Sequence, residues 1–260
     1  MIDEKFLLEA AARNEAATGP RKDIVMDIET APHLAFTFQL FDARISPQMV
    51  VEHSRILCFA AKEVNSKRTQ FYSEFHHGRE KMLEMLWKTI DSADTIITWN
   101  GDAFDLKHIR KELMLAGFPP PREPHSIDVI RTCRRRFRLT SNKLDEVGKA
   151  LGVGRKVSHS GWGLWQGVLD GDKKSWGIFK RYNIQDVVLT EQVYTQLLPW
   201  ITSLPHASYG QTPVCGACGS DELIPNGWKT TKPGRVLALR CTTCGANNTV
   251  TARGKTRHSA

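Results

Sequence analysis

Apolar positions along this chain fall into short unbroken runs and longer helical stripes, and the two alternate. Ile24, Val25, Met26 and Ile28 make the first run, which predicts a buried strand over 23–28. Segments around 55–64 and 69–75 predict two further strands, the second bearing Phe71, Tyr72 and Phe75. The polar turn Asn65-Ser66-Lys67 would join them in an antiparallel run. Over 79–91 the spacing becomes helical, with Met82, Leu83, Met85, Leu86 and Ile90 apolar. Thr95 to Trp99 is a second buried strand, and a helix from about 103 to 116 is stopped by Gly117 and the run Pro119 to Pro121. A strand near Ser126 to Val129, a very basic stretch from Arg131 to Arg138, a short helix over 143–151 ending at Gly152, and a long helix over 172–198 complete the order. Residues 3–16, rich in Ala, Glu and Leu, predict a peripheral packing helix ended by Gly19-Pro20. Strands first, then strands interleaved with helices, predict an α/β fold with a mixed sheet flanked by helices.

The pattern changes at Pro199 to Pro213, where three Pro and one Gly read as a linker. The expected organisation is an N-terminal helix and linker over 1–22, a main body over 23–198, a linker over 199–213 and a small cysteine-bearing module with a basic tail over 214–260. Residues 205–260 carry seven Lys or Arg against Asp221 and Glu222. The whole chain has a net charge of +8 and a pI of about 9.2, which favours an anionic partner, nucleic acid first. No apolar run reaches the roughly 18 residues of a membrane span, so no membrane association is expected. Asp3 and Glu4 interrupt the extreme N-terminus, against a secretory signal. Six cysteines, four of them in two C-x-x-C pairs, point to metal in a reducing compartment, the cytosol of the cell or of a host.

Asp27 and Glu29 stand two apart on the first strand, so both carboxylates project from one face of the sheet. Two carboxylates aimed at one point repel unless a cation lies between them, and a hard divalent ion such as Mg²⁺ is the natural resident. A solvated strand face is the bland alternative, which the apolar neighbours Ile24 to Ile28 disfavour. In Trp99-Asn100-Gly101-Asp102-Ala103-Phe104-Asp105 a buried strand gives way to a helix, placing Asp105 in the first helical turn at the carboxyl end of a strand. Asp102 is the better helix cap of the two. Tyr182 and Asp186 are one turn apart on the long helix and so stack on one face.

Asp27-Ile28-Glu29-Thr30, then Asn100-Gly101-x-x-Phe104-Asp105, then Tyr182-x-x-x-Asp186 resemble, in order and spacing, the three exonuclease motifs of the DEDD superfamily. The Tyr variety is most similar to the proofreading domain of family B DNA polymerases and its free-standing phage and bacterial relatives. The resemblance spans roughly residues 23–198 and implies a ribonuclease H-like fold. It implies that Asp27, Glu29 and Asp186 hold the metal that activates the attacking water. Asp27 would also reach a second Mg²⁺ or Mn²⁺ near the leaving oxygen, with Asp105 acting directly or through water. Tyr182 would orient the nucleophile, and Thr30, Asn100 and Phe104 would contact the terminal nucleotide. The implied activity is 3′→5′ hydrolysis of a nucleic-acid strand, DNA by preference, with a replication or polymerase partner. An exoribonuclease is the first alternative. A non-catalytic nucleic-acid-binding or polymerase-accessory protein is the second, although a retired site usually loses a carboxylate and here all four and the Tyr remain.

Other polar features carry weaker signals. Asp128 reads as a hydrogen-bonding partner near the site or a cap, and His108 as packed or solvated. Arg131, Arg134, Arg135, Arg136 and Arg138 suit bidentate phosphate contact, though such a run is usually a solvated face. Trp162, Trp165 and Trp176 flank Gly161 and Gly163 in an expected loop, as packing or as base-stacking surfaces. Cys58 and Cys133 read as buried thiols.

The two C-x-x-C pairs are Cys215/Cys218 and Cys241/Cys244, separated by residues 219–240 and each followed by Gly. Each pair forms a knuckle, and two knuckles complete the tetrahedron of one structural Zn²⁺. The pattern resembles a zinc ribbon, whose hairpins Asn226-Gly227 and the β-prone Val236 to Leu239 would fit. Redox catalysis needs one such pair rather than two.

Overall fold

The computed structural model describes residues 21–156, 161–202, 214–231, 234–250 and 256–258. The expected helix over 3–16 and most of the 199–213 linker lie outside the described residues.

Five strands form the main sheet: β1 (Asp23–Thr30), β4 (Ile56–Glu63), β5 (Gln70–Ser73), β6 (Thr95–Thr98) and β7 (His125–Asp128), in spatial order β5-β4-β1-β6-β7. β1, β4 and β5 run antiparallel to their neighbours, whereas β1, β6 and β7 run parallel. This is the mixed sheet the sequence pattern implies. Helices α2 (Arg79–Asp91) and α3 (Asp105–Leu115) cover one face. Helices α4 (Val129–Arg136), α5 (Leu144–Leu151), α6 (Trp162–Leu169) and α7 (Lys173–Leu197) cover the other.

The period of two along β1 decides which side chain meets which layer. Ile24, Met26 and Ile28 pack with Met82, Leu86 and Ile109 in one core. Val25 packs with Phe179, Val187 and Val193 in the other. Each fully buried side chain of this size contributes roughly 1.5–3 kcal/mol. Asp27 and Glu29 therefore continue the row begun by Val25 and face α7. β1 pairs with β6 only through Asp23, Ile24 and Val25, so its last residues outrun that neighbour and leave a notch in the sheet. The chemistry-bearing end of β1 lies in that notch.

Two expectations are corrected in the main body, and one small pairing is added. The strand expected over 69–75 stops at Ser73, whose hydroxyl accepts the His76 N–H at 3.1 Å and starts the short helix α1 (Glu74–His77). Phe75 consequently leaves the sheet and stacks on Trp176 at 5.1 Å. The glycine-rich stretch expected as a loop contains α6, because Leu164 and Val168 recur at helical spacing and bury against α7. Between β1 and β4 a small pairing of β2 (Leu34–Ala35) with β3 (Val50–Glu52) appears that the pattern does not announce, since Phe36, Phe38, Leu40 and Phe41 beside it are exposed. Elsewhere the boundaries agree to within a few residues, including the left-handed Gly152 that ends α5.

The cysteine-bearing segment forms its own sheet, order β11-β10-β9-β8, from β8 (Leu223–Thr231), β9 (Gly234–Cys241), β10 (Asn247–Val250) and β11 (Thr256–His258). Asn226-Gly227 is not a hairpin turn. It is an irregularity within β8, where the register shifts between Pro225 and Trp228 and Gly227 takes φ +80°. Among the described residues no helix is long and apolar enough to cross a membrane.

Candidate metal centres

The first centre is assembled from β1 and α7. The register of β1 sets Asp27 and Glu29 on the α7 side, and α7 presents Tyr182, Asn183 and Asp186 across from them. One carboxylate oxygen each from Asp27, Glu29 and Asp186 lie within 4.8 Å of one another. Asn183, fully buried, donates its amide to Asp27 Oδ2 at 2.7 Å and fixes that carboxylate.

Asp105 reaches the same region from the first residue of α3. It is not one of the three converging oxygens. Its Oδ1 accepts the Ile28 N–H at 3.2 Å, the backbone donor left open where β1 outruns β6. The preceding turn is shaped by two constraints. Gly101 is obligatory because a Cβ there would sit 2.2 Å from Thr98 Oγ1. Asn100 takes φ +67° and is held by its N–H to Asp128 Oδ1 at 2.7 Å. Asp128 also accepts the Asp102 N–H, so it is a partner of the loop, as expected. Asp102 does not cap α3. Its carboxylate is drawn the other way, accepting from Ser126 Oγ at 2.5 Å and Arg131 at 2.8 Å.

The remaining predicted contacts are placed as follows. Thr30 ends β1 after a register shift, and its carbonyl accepts Trp165 Nε1–H at 3.2 Å. Phe104 is 41% exposed and lies against His108, with ring centroids 4.5 Å apart. Trp176 is core, Trp165 packs edge-on to Phe179 and Tyr182, and only Trp162 is exposed. Cys58 and Cys133 are buried.

Lys156 is the residue that the sequence reading missed. Its ammonium donates to Asp186 Oδ2 at 2.5 Å and to the Tyr182 hydroxyl at 3.3 Å. It follows α5 in a stretch without periodicity, so no pattern marks it.

Burial, then the negative charges of Asp105, Glu29 and Asp186, hold the Asp27 carboxyl well above the usual range. Burial and Asp186 push Glu29 up to about 8. Burial pushes Asp105 up to about 6. Burial, then the Asp186, Glu29 and Asp27 carboxylates, raise the Tyr182 phenol far above its ordinary value, which favours the neutral hydroxyl. Among the described residues, Lys156 is the cation that opposes the accumulated negative charge on Asp27 and Glu29. Clustered, desolvated oxygen donors of this kind fit hard divalent cations such as Mg²⁺ or Mn²⁺.

The second centre brings together Cys215, Cys218, Cys241 and Cys244, whose sulfurs lie within 4.8 Å of one another. Cys215–Cys244 and Cys218–Cys241 are 3.7 and 3.6 Å apart. A tetrahedron with Zn–S bonds of about 2.3 Å has edges of about 3.8 Å, so the four thiols fit Zn²⁺. Gly219 and Gly245, at φ +79° and +75°, let each knuckle fold back so that their N–H groups reach Cys215 O and Cys241 O. The Ala217 N–H and the Asn248 amide point at Cys215 Sγ. Burial opposes ionisation of Cys241, yet the Cys244 and Thr243 N–H groups and the Cys218 thiol bring it down to about 7. The arrangement is compatible with a zinc ribbon.

No curated protein sequence matches the chain. Among solved structures, the family B DNA polymerase of the hyperthermophilic archaeon Pyrobaculum calidifontis is similar, with a TM-score of 0.52 and 16% identity. The match covers 70% of this chain but only 25% of the polymerase, and at that identity it speaks to the fold. A sequence model described as the RNase_H superfamily matches residues 50–198, more than half of the chain, a stretch that carries Asp105, Tyr182 and Asp186. On that match, and with a mixed sheet and flanking helices in agreement, the chain belongs to the RNase_H superfamily.

Proposed function

We propose that this protein is a divalent-metal-dependent 3′→5′ exonuclease that releases nucleoside monophosphates from a nucleic-acid strand, DNA by preference. Its superfamily supports a nuclease-type function acting on nucleic acid. The observation that carries the finer reading is the convergence of Asp27, Glu29 and Asp186 within 4.8 Å, beside Tyr182. Asp27, Glu29 and Asp186 would hold the divalent cations, with Asp105 at their edge. Such ions neutralise charge developing on phosphoryl oxygens and acidify a bound water.

The chain's own residues do the rest. Asn183 locks the Asp27 carboxylate, so its free oxygen is pre-aimed. Tyr182, kept protonated, orients the attacking water through its hydroxyl. Lys156 sets a positive charge within 3.3 Å of that hydroxyl, where it would help to offset negative charge that develops on the phosphoryl group. A water oxygen bonds to phosphorus, the P–O3′ bond breaks, and the leaving 3′-oxygen takes a proton. Phe104, Asn100 and Thr30 would bound the terminal nucleotide. In this reading residues 23–198 are the nuclease body and residues 214–260 a zinc ribbon. The preference for DNA rests on the resemblance to proofreading domains, and RNA is the alternative.

The test is incubation of 5′-labelled DNA and RNA oligomers with Mg²⁺, Mn²⁺ or EDTA. A ladder shortening from the 3′ end of one polymer, abolished by EDTA, is the expected result. Internal cuts, or no cleavage of either polymer with any metal, refute it.

A further inference from the structure

The arginines of α4 belong to no part of the centre described above, yet the topology brings them beside it. β1, β6 and β7 are parallel, so Glu29, Asn100 and Asp128 all leave the sheet at the same edge. α4 begins directly after Asp128, two strand spacings from β1, or about 10 Å. The helix shows Val129, Ile130 and Cys133 to the core and turns Arg131, Arg134 and Arg135 outward, one helical turn apart on a single face. Arg138 follows, exposed, on the extended exit from the helix.

Arg131 is tied to Asp102, in the loop that leads to Asp105. Arg134, Arg135 and Arg138 have no carboxylate partner among the described residues. Basic side chains complement the dipole at a helix C-terminus, but that effect explains neither the groove nor the ring beside it. Arg131, Arg134, Arg135 and Arg136, with Asp128, line a cavity of about 420 Å³ that Trp200 also borders. Trp200 is 51% exposed and is braced edge-on by Phe137, with centroids 5.3 Å apart. Guanidinium groups that suit phosphodiester oxygens, next to a braced and half-open indole, are the two parts of a single-strand binding surface: one follows the backbone, the other stacks a base.

We infer that the α4 arginine face and Trp200 form a groove for the single strand 5′ to the nucleotide being removed. The name of the occupant rests on the nuclease reading; the charge and the ring are features of this chain. Arg131 couples the groove to the catalytic edge, because its other anchor is the Asp102 turn. A strand held here enters the centre past Asn100 and Phe104.

The test measures binding of a labelled oligodeoxythymidine of about a dozen nucleotides to zinc-loaded full-length protein without added Mg²⁺ or Mn²⁺, over a salt series. Arg134→Gln/Arg135→Gln should weaken affinity by on the order of tenfold near 0.1 M salt. It should also flatten the slope of log affinity against log salt by about 1.4, twice the roughly 0.7 of one single-strand phosphate. Arg134→Lys/Arg135→Lys should restore most of the slope, and Trp200→Ala should lower affinity several-fold with the slope intact. Arg110→Gln, exposed on α3, removes a charge away from the groove and should change neither. If the double Gln variant binds with parental affinity and slope, or if Arg110→Gln flattens the slope as much per charge, the groove is refuted. The former result would leave the face to a protein partner. Should the double Gln variant be misfolded by circular dichroism, single Arg135→Gln must still lose about 0.7 of slope. Because binding is read without added Mg²⁺ or Mn²⁺, a protein that cuts nothing but shows these shifts loses the nuclease reading and keeps the groove.

Discussion

The two candidate metal centres are built in opposite ways. In the carboxylate centre the donors come from β1 and α7, with Asp105 beside them from α3, elements far apart in sequence that are held by two extensive cores. In the cysteine centre they come from two short knuckles, around a cluster that, among the described residues, holds Cys215, Ala217, Cys241 and Ala246 with Leu198 and Leu223 packed against it. The first set of donors is held in place by large apolar cores; the second sits on a small sheet gathered around the four thiols. On the proposed reading, a cation would tune chemistry in the first centre and supply folding free energy in the second.

The sharpest way to break this comparison is to remove the cysteine ligands. Cys215→Ser/Cys218→Ser should abolish the one tightly held zinc per chain and unfold residues 214–258, because structural zinc sites contribute about 10–16 kcal/mol of apparent binding free energy. Elemental analysis and limited proteolysis would check it. A variant that keeps its zinc, or keeps a protected ribbon without it, overturns the contrast.

The carboxylates should behave conversely. Asp27→Ala should lower nuclease rate by about 10³-fold or more with no loss of thermal stability, since it removes a carboxyl whose ionisation burial and neighbouring carboxylates oppose. Asp186→Ala should lower the rate as much and cost some stability, because it also unpairs Lys156. Tyr182→Phe is milder, by one or two orders of magnitude if one water-orienting hydrogen bond contributes about 1–3 kcal/mol. Native circular dichroism with a rate within tenfold for Asp27→Ala would show that the chemistry lies elsewhere.

The smallest effect is the pH response of the metal-free body. Glu29 rises from 4.5 to about 8 and Asp105 from 3.8 to about 6 on folding. Carboxyls raised in the folded state bind more protons there than in the unfolded chain, so stability falls as pH rises. In EDTA the melting temperature should decline between about pH 4.5 and 8, and Mn²⁺ should restore it at the upper end. A flat or rising profile in EDTA contradicts the repulsion on which the cation site is argued.

What the sequence disclosed follows the same division. Asp27/Glu29 and Tyr182/Asp186 are weak signals by strand and helix period alone; it is their order along the chain, resembling the DEDD motifs, that singles them out, and the fold brings Asp27, Glu29 and Asp186 together. The knuckles were legible because zinc needs four thiols at close spacing. Lys156 was not: its role exists only because a non-repeating stretch returns to α7, and a lysine in such a stretch is ordinarily solvated. Asp102 was misjudged because capping is a local rule, whereas Ser126 and Arg131 come from β7 and α4. α6 hid behind Gly161, Gly163 and Gly167, and was settled by the burial of Leu164 and Val168.

The overrun of β1 past β6 has a practical consequence. An ordinary sheet would satisfy the Ile28 N–H with a neighbouring strand; here a candidate catalytic carboxylate does so. The Ile28 amide is thus a built-in spectator of Asp105. Its proton exchange and its nitrogen chemical shift will register whether that carboxylate is resting on the backbone or has swung toward an incoming ion, residue by residue and without turnover. A nuclease of this construction carries its own gauge for the loading of its active site.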